Sequence, residues 1–354
     1  MTNQTDVAPL DEAAMATAHE RLDRLTKPQG SLGRLERLVE QLAGITGAAT
    51  PRVDHAAVVV FAGDHGVTAQ GVSAYPSDVT AQMVANFVNG GAAINVLARA
   101  AGAELVVVDV GVAGTEVQST GATRLVQARV RSGTRDMTVE PAMTREEALA
   151  AIAVGGDVVR DLIAGGCDAI ALGEMGIGNT TAASALVAAL TGRPPAHDTG
   201  RGTGLDDEAV RRKAQVIAAA LERHRPSPAD PVGTLAAVGG LEIAALVGAL
   251  LAAGEARVPV VLDGFITGAA ALVAVAIAAN LGPRLIASNR STEPGHRIVL
   301  EQLGLEPLLD LELRLGEGSG AALALPIIRA ATLLLAEMAT FDSAGVSGPA
   351  REPK

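Results

Sequence analysis

A single carboxylate stands among glycines near the end of the chain, in the segment LGEGSGA at residues 315–321. Glycines on both sides of Glu317 remove side-chain bulk and let the backbone approach a ligand closely. The apolar run that follows predicts a helix beginning here, so backbone N–H groups would face an anion or an oxygen-rich ligand. Glu317 could then accept a proton or bind hydroxyl groups. The same pattern also fits a glycine-rich turn whose glutamate caps the next helix.

Two glycine-rich loops have the composition of a phosphate site. In GIGNTT, at 176–181, glycines precede an amide, two hydroxyls and a predicted helix, which together supply N–H donors and a helix dipole. A second loop, GRGTG at 200–204, could close on the same anion with the lysine of the next helix. The residues assigned to this site are Gly176, Gly178, Asn179, Thr180, Gly202, Thr203, Gly204 and Lys213. Either loop alone is more often a simple turn, and neither is a Walker motif or a dinucleotide fingerprint.

Polar residues or glycines follow each predicted strand. The strands are predicted at 57–62, 105–110, 169–172, 259–262 and 285–287. Asp64 and His65 follow the first strand, and Glu174 follows the third. Asp263 follows the fourth strand, and Ser291 follows the fifth. Because open α/β sheets bind ligands beyond the carboxyl ends of their strands, we expect these side chains to share one site. Asp263 could hold ribose hydroxyls or cap the following helix. Asp64 and His65 could equally serve structural hydrogen bonding or proton transfer. The scattered histidines predict no metal site.

The strands are nearly continuous apolar runs that alternate with longer helical patterns. Helices are predicted at 77–101, 145–164, 180–190, 206–223, 241–252 and 265–279. This alternation predicts a doubly wound, mostly parallel, Rossmann-like α/β sheet. Helices near both termini fall outside it and are expected to pair as a small helical subdomain. The predicted domains are 48–319 for the α/β nucleotide- and base-binding domain, 10–47 with 320–340 for the helical subdomain, and 343–354 for a disordered tail.

Composition excludes several classes of function. The chain of 354 residues has a net charge of −11, which argues against nucleic acid or an anionic membrane as a partner. Aromatic residues make up 1%, so stacking of bases on rings cannot be a main mode of binding. Cys167 is the one cysteine, which rules out an intrachain disulfide or a thiolate zinc cluster. The first residues lack the basic and apolar regions of a signal peptide, so we expect a cytoplasmic protein.

Several segments, taken in order, share the pattern of one known family. They are KPQGSLGRLE (27–36), AGDHGV (62–67), GEMGIGNTT (173–181), LDGF (262–265) and RLGEGSGA (314–321), spread over nearly the whole chain. Together they resemble the nicotinate-nucleotide:dimethylbenzimidazole phosphoribosyltransferase family. The resemblance implies transfer of 5-phosphoribosyl from nicotinate mononucleotide to 5,6-dimethylbenzimidazole, giving α-ribazole 5′-phosphate and nicotinate for the nucleotide loop of cobalamin. It also implies a homodimer that requires no metal or other cofactor.

The resemblance further implies roles for individual residues. Glu317 matches the proposed general base that removes the benzimidazole N–H proton, and Glu174 matches a second carboxylate near ribose and nicotinate. The two glycine loops match the phosphate site, together with Lys213 and Ser291, and Asp263 is assigned to the nucleotide. The residues expected to surround the base are Asp64, His65, Tyr75, Gln82, Met83 and Leu315.

The acceptor and the final step have alternatives. Residues 75–83 match the part of the family that walls the base pocket and varies among members, so a purine or phenolic acceptor is an alternative. A nucleotide hydrolase would pass the ribosyl group to water and release nicotinate without a base. A non-catalytic nucleotide sensor would need the phosphate loops but not Glu317. The five ordered motifs favour the transferase, and its displacement at C1′ needs what these residues could supply: positioning, a phosphate anchor and one base.

Overall fold

The architecture is one parallel sheet between two layers of helices. The computed structural model describes residues 7–118, 121 and 123–348, and all structural statements concern these residues. The strands are β1 (Ala56–Gly63), β2 (Glu104–Gly111), β3 (Arg124–Gln127), β4 (Ala169–Met175), β5 (Val260–Leu262) and β6 (Leu285–Ala287). Their order is β3-β2-β1-β4-β5-β6, and each neighbouring pair is parallel. The predicted doubly wound α/β fold is confirmed, and the strand order reverses between β1 and β4.

The predicted strands are present, and one further strand was missed. All residues of β1 are buried, as expected for a strand that is covered on both faces. Strand β3, with the sequence RLVQ, lies at the sheet edge, and its residues are half-buried or exposed. It therefore lacks the continuous apolar run by which the other strands were recognised.

Helices cover both faces of the sheet. In the first half of the chain they are α1 (Glu12–Arg24), α2 (Arg34–Thr46), α3 (Val79–Val88), α4 (Ala93–Ala101), α5 (Arg145–Ala164) and α6 (Asn179–Thr191). In the second half they are α7 (Pro195–Asp198), α8 (Asp207–His224), α9 (Pro231–Val238), α10 (Leu241–Glu255), α11 (Phe265–Ile277), α12 (Pro294–Leu303), α13 (Ser319–Glu337) and α14 (Phe341–Ala344). Val59 and Phe61 of β1 join the layer that contains α5, α6, α10 and α11. Val58 and Val60 join the layer that contains α1, α2, α4 and α13, so successive side chains face opposite layers.

Small residues allow the helices to pack closely. A Cβ atom at Gly155 of α5 would overlap the carbonyl of Ala245 on α10, and one at Gly248 of α10 would overlap the carbonyl of Ile152. The two backbones therefore touch directly and make dispersion contacts without large side chains between them. This packing explains how a chain with 1% aromatic residues can still build a dense core.

Two predicted helices are each divided into two. The helix expected at 77–101 breaks into α3 and α4 around Gly90, whose φ of 80° belongs to the left-handed region. The N-terminal helix breaks into α1 and α2 at the first segment of the family pattern, where Gly30 and Gly33 have φ of 72° and 57°. Within that turn Lys27 and Glu36 form a buried ion pair of 2.9 Å. This segment therefore fixes the turn between the helices, and it lies outside the pocket described below.

The terminal helices pack on one another, as expected for a helical subdomain. Helix α13 contacts both α1 and α2. The same three helices also share an apolar layer with one face of the sheet, so their division from the α/β domain stays a prediction. The predicted disordered tail starts inside α14, which makes residues 343 and 344 helical and corrects that boundary. Residues 349–354 lie outside the described part of the chain.

Helix α13 is the one described helix with the length and apolar character to cross a membrane. About half of it, 56% of the tested window, is buried in the protein. Leu325 and Ile328 belong to the layer that packs on the sheet, which is typical of a core helix.

Candidate active site

One pocket of about 450 Å³ opens beyond the carboxyl ends of β4, β5 and β6. The predicted residues that line it are Tyr75, Met83, Glu174, Gly176, Gly178, Asn179, Thr180, Gly202, Thr203, Asp263, Ser291, Leu315 and Glu317. Its volume lies in the range of pockets that enclose small organic ligands. The structure therefore brings most of the predicted polar residues into one site of the expected kind.

Glu317 is held in a strained backbone conformation at the pocket wall. Its φ is 63°, and those of Gly316 and Gly318 are 84° and 82°, so three successive residues are left-handed. For a residue other than glycine this conformation costs of order 1–2 kcal/mol and often marks a functional site. Gly173 of β4 makes room for the loop, because a Cβ atom there would overlap the backbone of Glu317 and Gly318.

Asp263 fixes this loop from the end of β5. Its Oδ1 accepts hydrogen bonds from the N–H groups of Gly320 at 2.6 Å and Ala321 at 3.2 Å, and its Oδ2 accepts one from Gly318 at 3.2 Å. The structure shows helix capping by Asp263, and the other predicted role, ribose binding, stays a prediction. The helix capped is α13, rather than α11, which follows Asp263 in sequence. Asp263 therefore positions Glu317 and also lines the pocket.

Glu174 lies next to the Glu317 loop and belongs to the same wall. A Cβ atom at Gly316 would lie 2.6 Å from its Oε1, and Asn179 donates a hydrogen bond to its Oε2. Burial raises the pKa of Glu174 well above its ordinary value, and the negative charges of Asp263, Glu242 and Glu317 raise it further. Glu174 therefore holds its proton to a higher pH than an exposed glutamate does.

Burial shifts the other carboxyl groups in the same direction. It raises the pKa of Asp263 to about 7, although three backbone N–H groups oppose the shift. It also raises the pKa of Glu317, whose Oε2 is buried without a hydrogen-bond partner in the described part of the chain. Neighbouring carboxyl groups titrate as a coupled set, so this wall can hold and exchange protons near neutral pH.

A buried cation lies behind the glycine loops of the pocket and does not itself line the pocket. Lys213 of α8 is fully buried, and its Nζ donates to Thr180 Oγ1 at 2.8 Å and to the carbonyl of Gly200 at 3.3 Å. Burial lowers its pKa to about 8, while the charge of Glu293 opposes that shift. Thr180 lies in the first turn of α6, whose N-terminus begins after Gly178. Ammonium, hydroxyl and helix N-terminus thus meet where an anion would bind.

Two loops complete this phosphate end. Thr203 Oγ1 accepts the N–H of Ala74 at 3.0 Å, which ties the second glycine loop to the segment before α3. The N–H of Ser291 donates to Nδ1 of His296 at 2.9 Å. Burial, with the nearby charge of Arg290, lowers the pKa of His296 to about 4, so its ring is neutral and can accept that bond. Gly204 does not line the pocket, and its φ of 107° instead serves the turn into α8.

Asp64 and His65 lie behind the pocket wall, which corrects their expected position at the base. Nε2 of His65 pairs with Oε1 of buried Glu242 at 2.8 Å, and Oδ2 of Asp64 accepts the N–H of Ala113 at 2.8 Å. Burial alone would lower the pKa of His65, but the charge and hydrogen bond of Glu242 outweigh it and raise the pKa. A Cβ atom at Gly176 would lie 3.4 Å from Nε2, so the ring supports the first glycine loop from beneath.

The end of the pocket expected to hold the base is apolar and open. Tyr75, Met83 and Leu315 line it, with Tyr75 55% and Leu315 56% exposed. Gln82 is exposed on α3 and does not line the pocket, because it occupies the helix position next to Met83 and points to another side. The position of Gln82 therefore differs from the predicted one, which was in contact with the base.

Several site residues escaped the sequence analysis. Asn289 and Glu293 line the pocket, and Glu242 is the buried partner of His65. Asn289 is the second residue after β6, so its strand-end position was a usable signal. Glu242 is the second residue of α10, far in sequence from any strand end, and gave no such signal. Within the described residues, no group of three or more His, Cys, Asp or Glu side chains is arranged to hold a metal ion.

Comparison with known proteins identifies the class of this site. A sequence profile described as "Phosphoribosyltransferase" matches residues 7–346, nearly the whole chain. The fold and the pocket thus belong to a phosphoribosyltransferase.

The relatives narrow this class further. The nicotinate-nucleotide–dimethylbenzimidazole phosphoribosyltransferase of Roseiflexus sp. (strain RS-1) is 56% identical over 97% of this chain and 96% of its own. The protein of the same name from Salinispora tropica is 54% identical over 96% of this chain and 97% of its own. The crystal structure of the Thermus thermophilus protein of this name has a TM-score of 0.90 at 49% identity, covering 96% of this chain and all of that one. The chain belongs to the nicotinate-nucleotide:dimethylbenzimidazole phosphoribosyltransferase family.

Proposed function

We propose that the protein transfers the 5-phosphoribosyl group of nicotinate mononucleotide to 5,6-dimethylbenzimidazole, in the assembly of the cobalamin nucleotide loop. The products are α-ribazole 5′-phosphate and nicotinate. One observation carries the proposal: at a single pocket of about 450 Å³, a buried ammonium lies behind the wall residue Thr180, and the buried carboxyl group of Glu317 lines the pocket. The first suits a phosphate and the second suits a proton that is lost in the reaction.

The nucleotide would bind with its phosphate at Lys213. The ammonium and the hydroxyl of Thr180 supply charge-assisted hydrogen bonds, and the N-terminus of α6 adds its dipole. With the phosphate held there, the ribose would extend across the pocket towards Glu174 and Glu317. Binding energy from the phosphate then positions C1′, although the phosphate itself takes no part in the bond changes there.

The reaction at C1′ is a displacement with inversion. The unprotonated ring nitrogen of dimethylbenzimidazole attacks C1′, and nicotinate leaves with the electron pair of the C1′–N bond, which neutralises its pyridinium nitrogen. The second ring nitrogen of the benzimidazole loses its proton to Glu317. Because one oxygen of Glu317 is buried without a partner among the described residues, it can accept that proton without breaking an existing hydrogen bond.

Glu174 has a complementary role in this proposal. Its raised pKa favours the protonated form, so it can donate a hydrogen bond to the ribose or to the departing nicotinate. Three neighbouring carboxyl groups cannot all carry charge cheaply in a buried site. A protonated Glu174 lets Glu317 ionise and act as the base.

We also propose a homodimer in the cytoplasm, with small molecules as its substrates. The half-exposed apolar side chains of Tyr75 and Leu315 at the pocket mouth support a homodimer, since a second subunit could cover them. The acceptor is the least constrained part of the proposal, because apolar walls discriminate weakly among flat bases.

The experiment is incubation of the protein with nicotinate mononucleotide and a panel of bases, with products separated by chromatography and weighed by mass spectrometry. We expect a product of α-ribazole 5′-phosphate mass, formed fastest with 5,6-dimethylbenzimidazole. A faster reaction with a purine or phenol would change the acceptor and keep the reaction class. Nicotinate released without any base would indicate hydrolysis, and no turnover with any base would contradict the proposal.

A further inference from the structure

A carboxylate that the sequence analysis did not assign lies inside the phosphate end of the pocket. Glu293 lines the pocket, is 8% exposed and immediately precedes α12. Its Oε1 accepts a hydrogen bond from the N–H of Gly202 at 2.9 Å. Its Oε2 is buried and has no hydrogen-bond partner among residues 7–118, 121 and 123–348. Burying a carboxylate is unfavourable, and placing one beside a phosphate site is more so, which implies a specific role.

The second glycine loop is held between this anion and the buried cation. A Cβ atom at Gly200 would overlap Oε2 of Glu293, so the carboxylate fits only because position 200 has no side chain. From the other side, Lys213 Nζ donates to the carbonyl of Gly200 at 3.3 Å. A Cβ atom at Gly202 would lie 3.3 Å from the same Nζ and 2.9 Å from Thr180 Oγ1. The position of the loop therefore sets the distance between its own backbone and the groups that would bind the phosphate.

We propose that Glu293 is a positioning residue of the phosphate site, which fixes the glycine loop through the N–H of Gly202. This inference rests on the proposed function, in which the loop meets the phosphate of the nucleotide. Gly202 has a φ of 50° in a loop of glycines, a backbone with many accessible conformations when nothing restrains it. A loop fixed before the nucleotide arrives does not have to be ordered on binding, so affinity for the phosphate is higher.

Reach and charge of the side chain can be varied separately. Glu293→Asp keeps the charge but withdraws the carboxylate by one methylene, so the bond to Gly202 is lost. Glu293→Gln removes the charge but keeps an oxygen at the same reach, so the bond is retained. Glu293→Ala removes both. Glu301→Ala is the matched control, because Glu301 lies on α12, the helix that Glu293 precedes, and is exposed.

Positioning through the hydrogen bond makes a definite set of predictions for steady-state kinetics. We expect KM for nicotinate mononucleotide to rise about tenfold or more in Glu293→Asp and Glu293→Ala, and to stay within about threefold in Glu293→Gln. The kcat and the KM for the base should stay within about threefold in all variants. A raised KM in the Gln variant with a normal KM in the Asp variant would overturn the proposal, since charge would then be what matters. A normal KM in Glu293→Ala would overturn it as well.

A direct binding measurement separates this inference from the proposed function. Calorimetric titration with inorganic phosphate reports on the site even if nicotinate mononucleotide is not the donor. We expect Glu293→Asp to weaken phosphate binding and Glu293→Gln to retain it, with thermal unfolding confirming that both variants fold. Equal phosphate affinity in both would contradict the positioning role. Absence of transferase activity in the unmodified protein would instead contradict the proposed function.

Discussion

The two ends of the pocket are built in different ways. At the phosphate end Lys213 is fully buried, and its hydrogen bonds to Thr180 and Gly200 lie within the protein. At the base end Tyr75 and Leu315 are more than half exposed and offer mainly apolar surface. The phosphate end is therefore fixed by bonds within the protein, whereas the base end exposes part of its apolar wall.

This difference follows from the chemistry of the two ligands. A phosphate carries charge that must be met by fixed donors, and a buried ammonium is tolerated only where it is fixed and hydrogen-bonded. A flat base can be recognised by apolar contact, which is less directional and tolerates change. We therefore expect substitutions at the phosphate end to act on the nucleotide, and apolar substitutions at the base end to act weakly on the acceptor.

The largest expected effect belongs to Glu317, a charged group that should break this pattern. In Glu317→Gln we expect kcat to fall about 10²- to 10⁴-fold, because the amide cannot accept the benzimidazole proton. Affinity for nicotinate mononucleotide, measured by calorimetry, should change little. The control is Glu312→Gln, which alters an exposed glutamate of the same segment that also has a positive φ, of 55°. A Glu317→Gln variant with near-normal kcat would show that another group takes the proton.

A second effect should come from the phosphate end and should change KM for the nucleotide alone. In Lys213→Met the charge is lost at nearly constant volume, and hydrogen bonds to charged groups contribute about 1.5–3 kcal/mol, which corresponds to roughly 10- to 100-fold in KM. We expect this rise for nicotinate mononucleotide and none for the base. Arg212→Met, at the exposed neighbouring position, should leave both constants unchanged.

The pH dependence of the same residue tests the assignment further. Burial lowers the pKa of Lys213 to about 8, so the ammonium loses its proton as pH rises through that value. Since a neutral amine attracts phosphate less, kcat/KM for the nucleotide should fall above about pH 8, and Lys213→Met should lack this decline. A decline that persists unchanged in the variant would assign it to a different group.

The sequence predicted the elements of this site better than their contacts. Strand ends and glycine loops are local patterns, so Glu174, Thr180 and Glu317 could be placed in one pocket before the structure was known. Glu242 and Glu293 could not, because their partners His65 and Gly202 lie 177 and 91 residues away in the chain. Only the folded chain brings such groups together.

The same limit explains the residues whose positions were wrong. Asp64 and His65 do follow the first strand, as predicted. Whether their side chains face the pocket or the layer beneath depends on the first glycine loop, since Gly176 and Gly178 leave room for the imidazole on the inner side. Strand-end position thus locates a residue near the site, and packing decides which way it faces.

The smallest expected effect lies at the base end and tests its tolerance directly. Leu315→Ala removes part of an apolar wall that is already 56% exposed, so less than half of its surface is lost from contact. We expect KM for 5,6-dimethylbenzimidazole to rise about two- to fivefold, with KM for the nucleotide unchanged. Leu311→Ala is a closely matched control, because Leu311 is also 56% exposed, lies in the same segment and does not line the pocket. If Leu315→Ala raised KM for the base more than about 50-fold, the base end would be as strictly organised as the phosphate end, and the contrast between them would fail. If Leu311→Ala had the same effect as Leu315→Ala, the effect would come from the segment as a whole rather than from contact with the base.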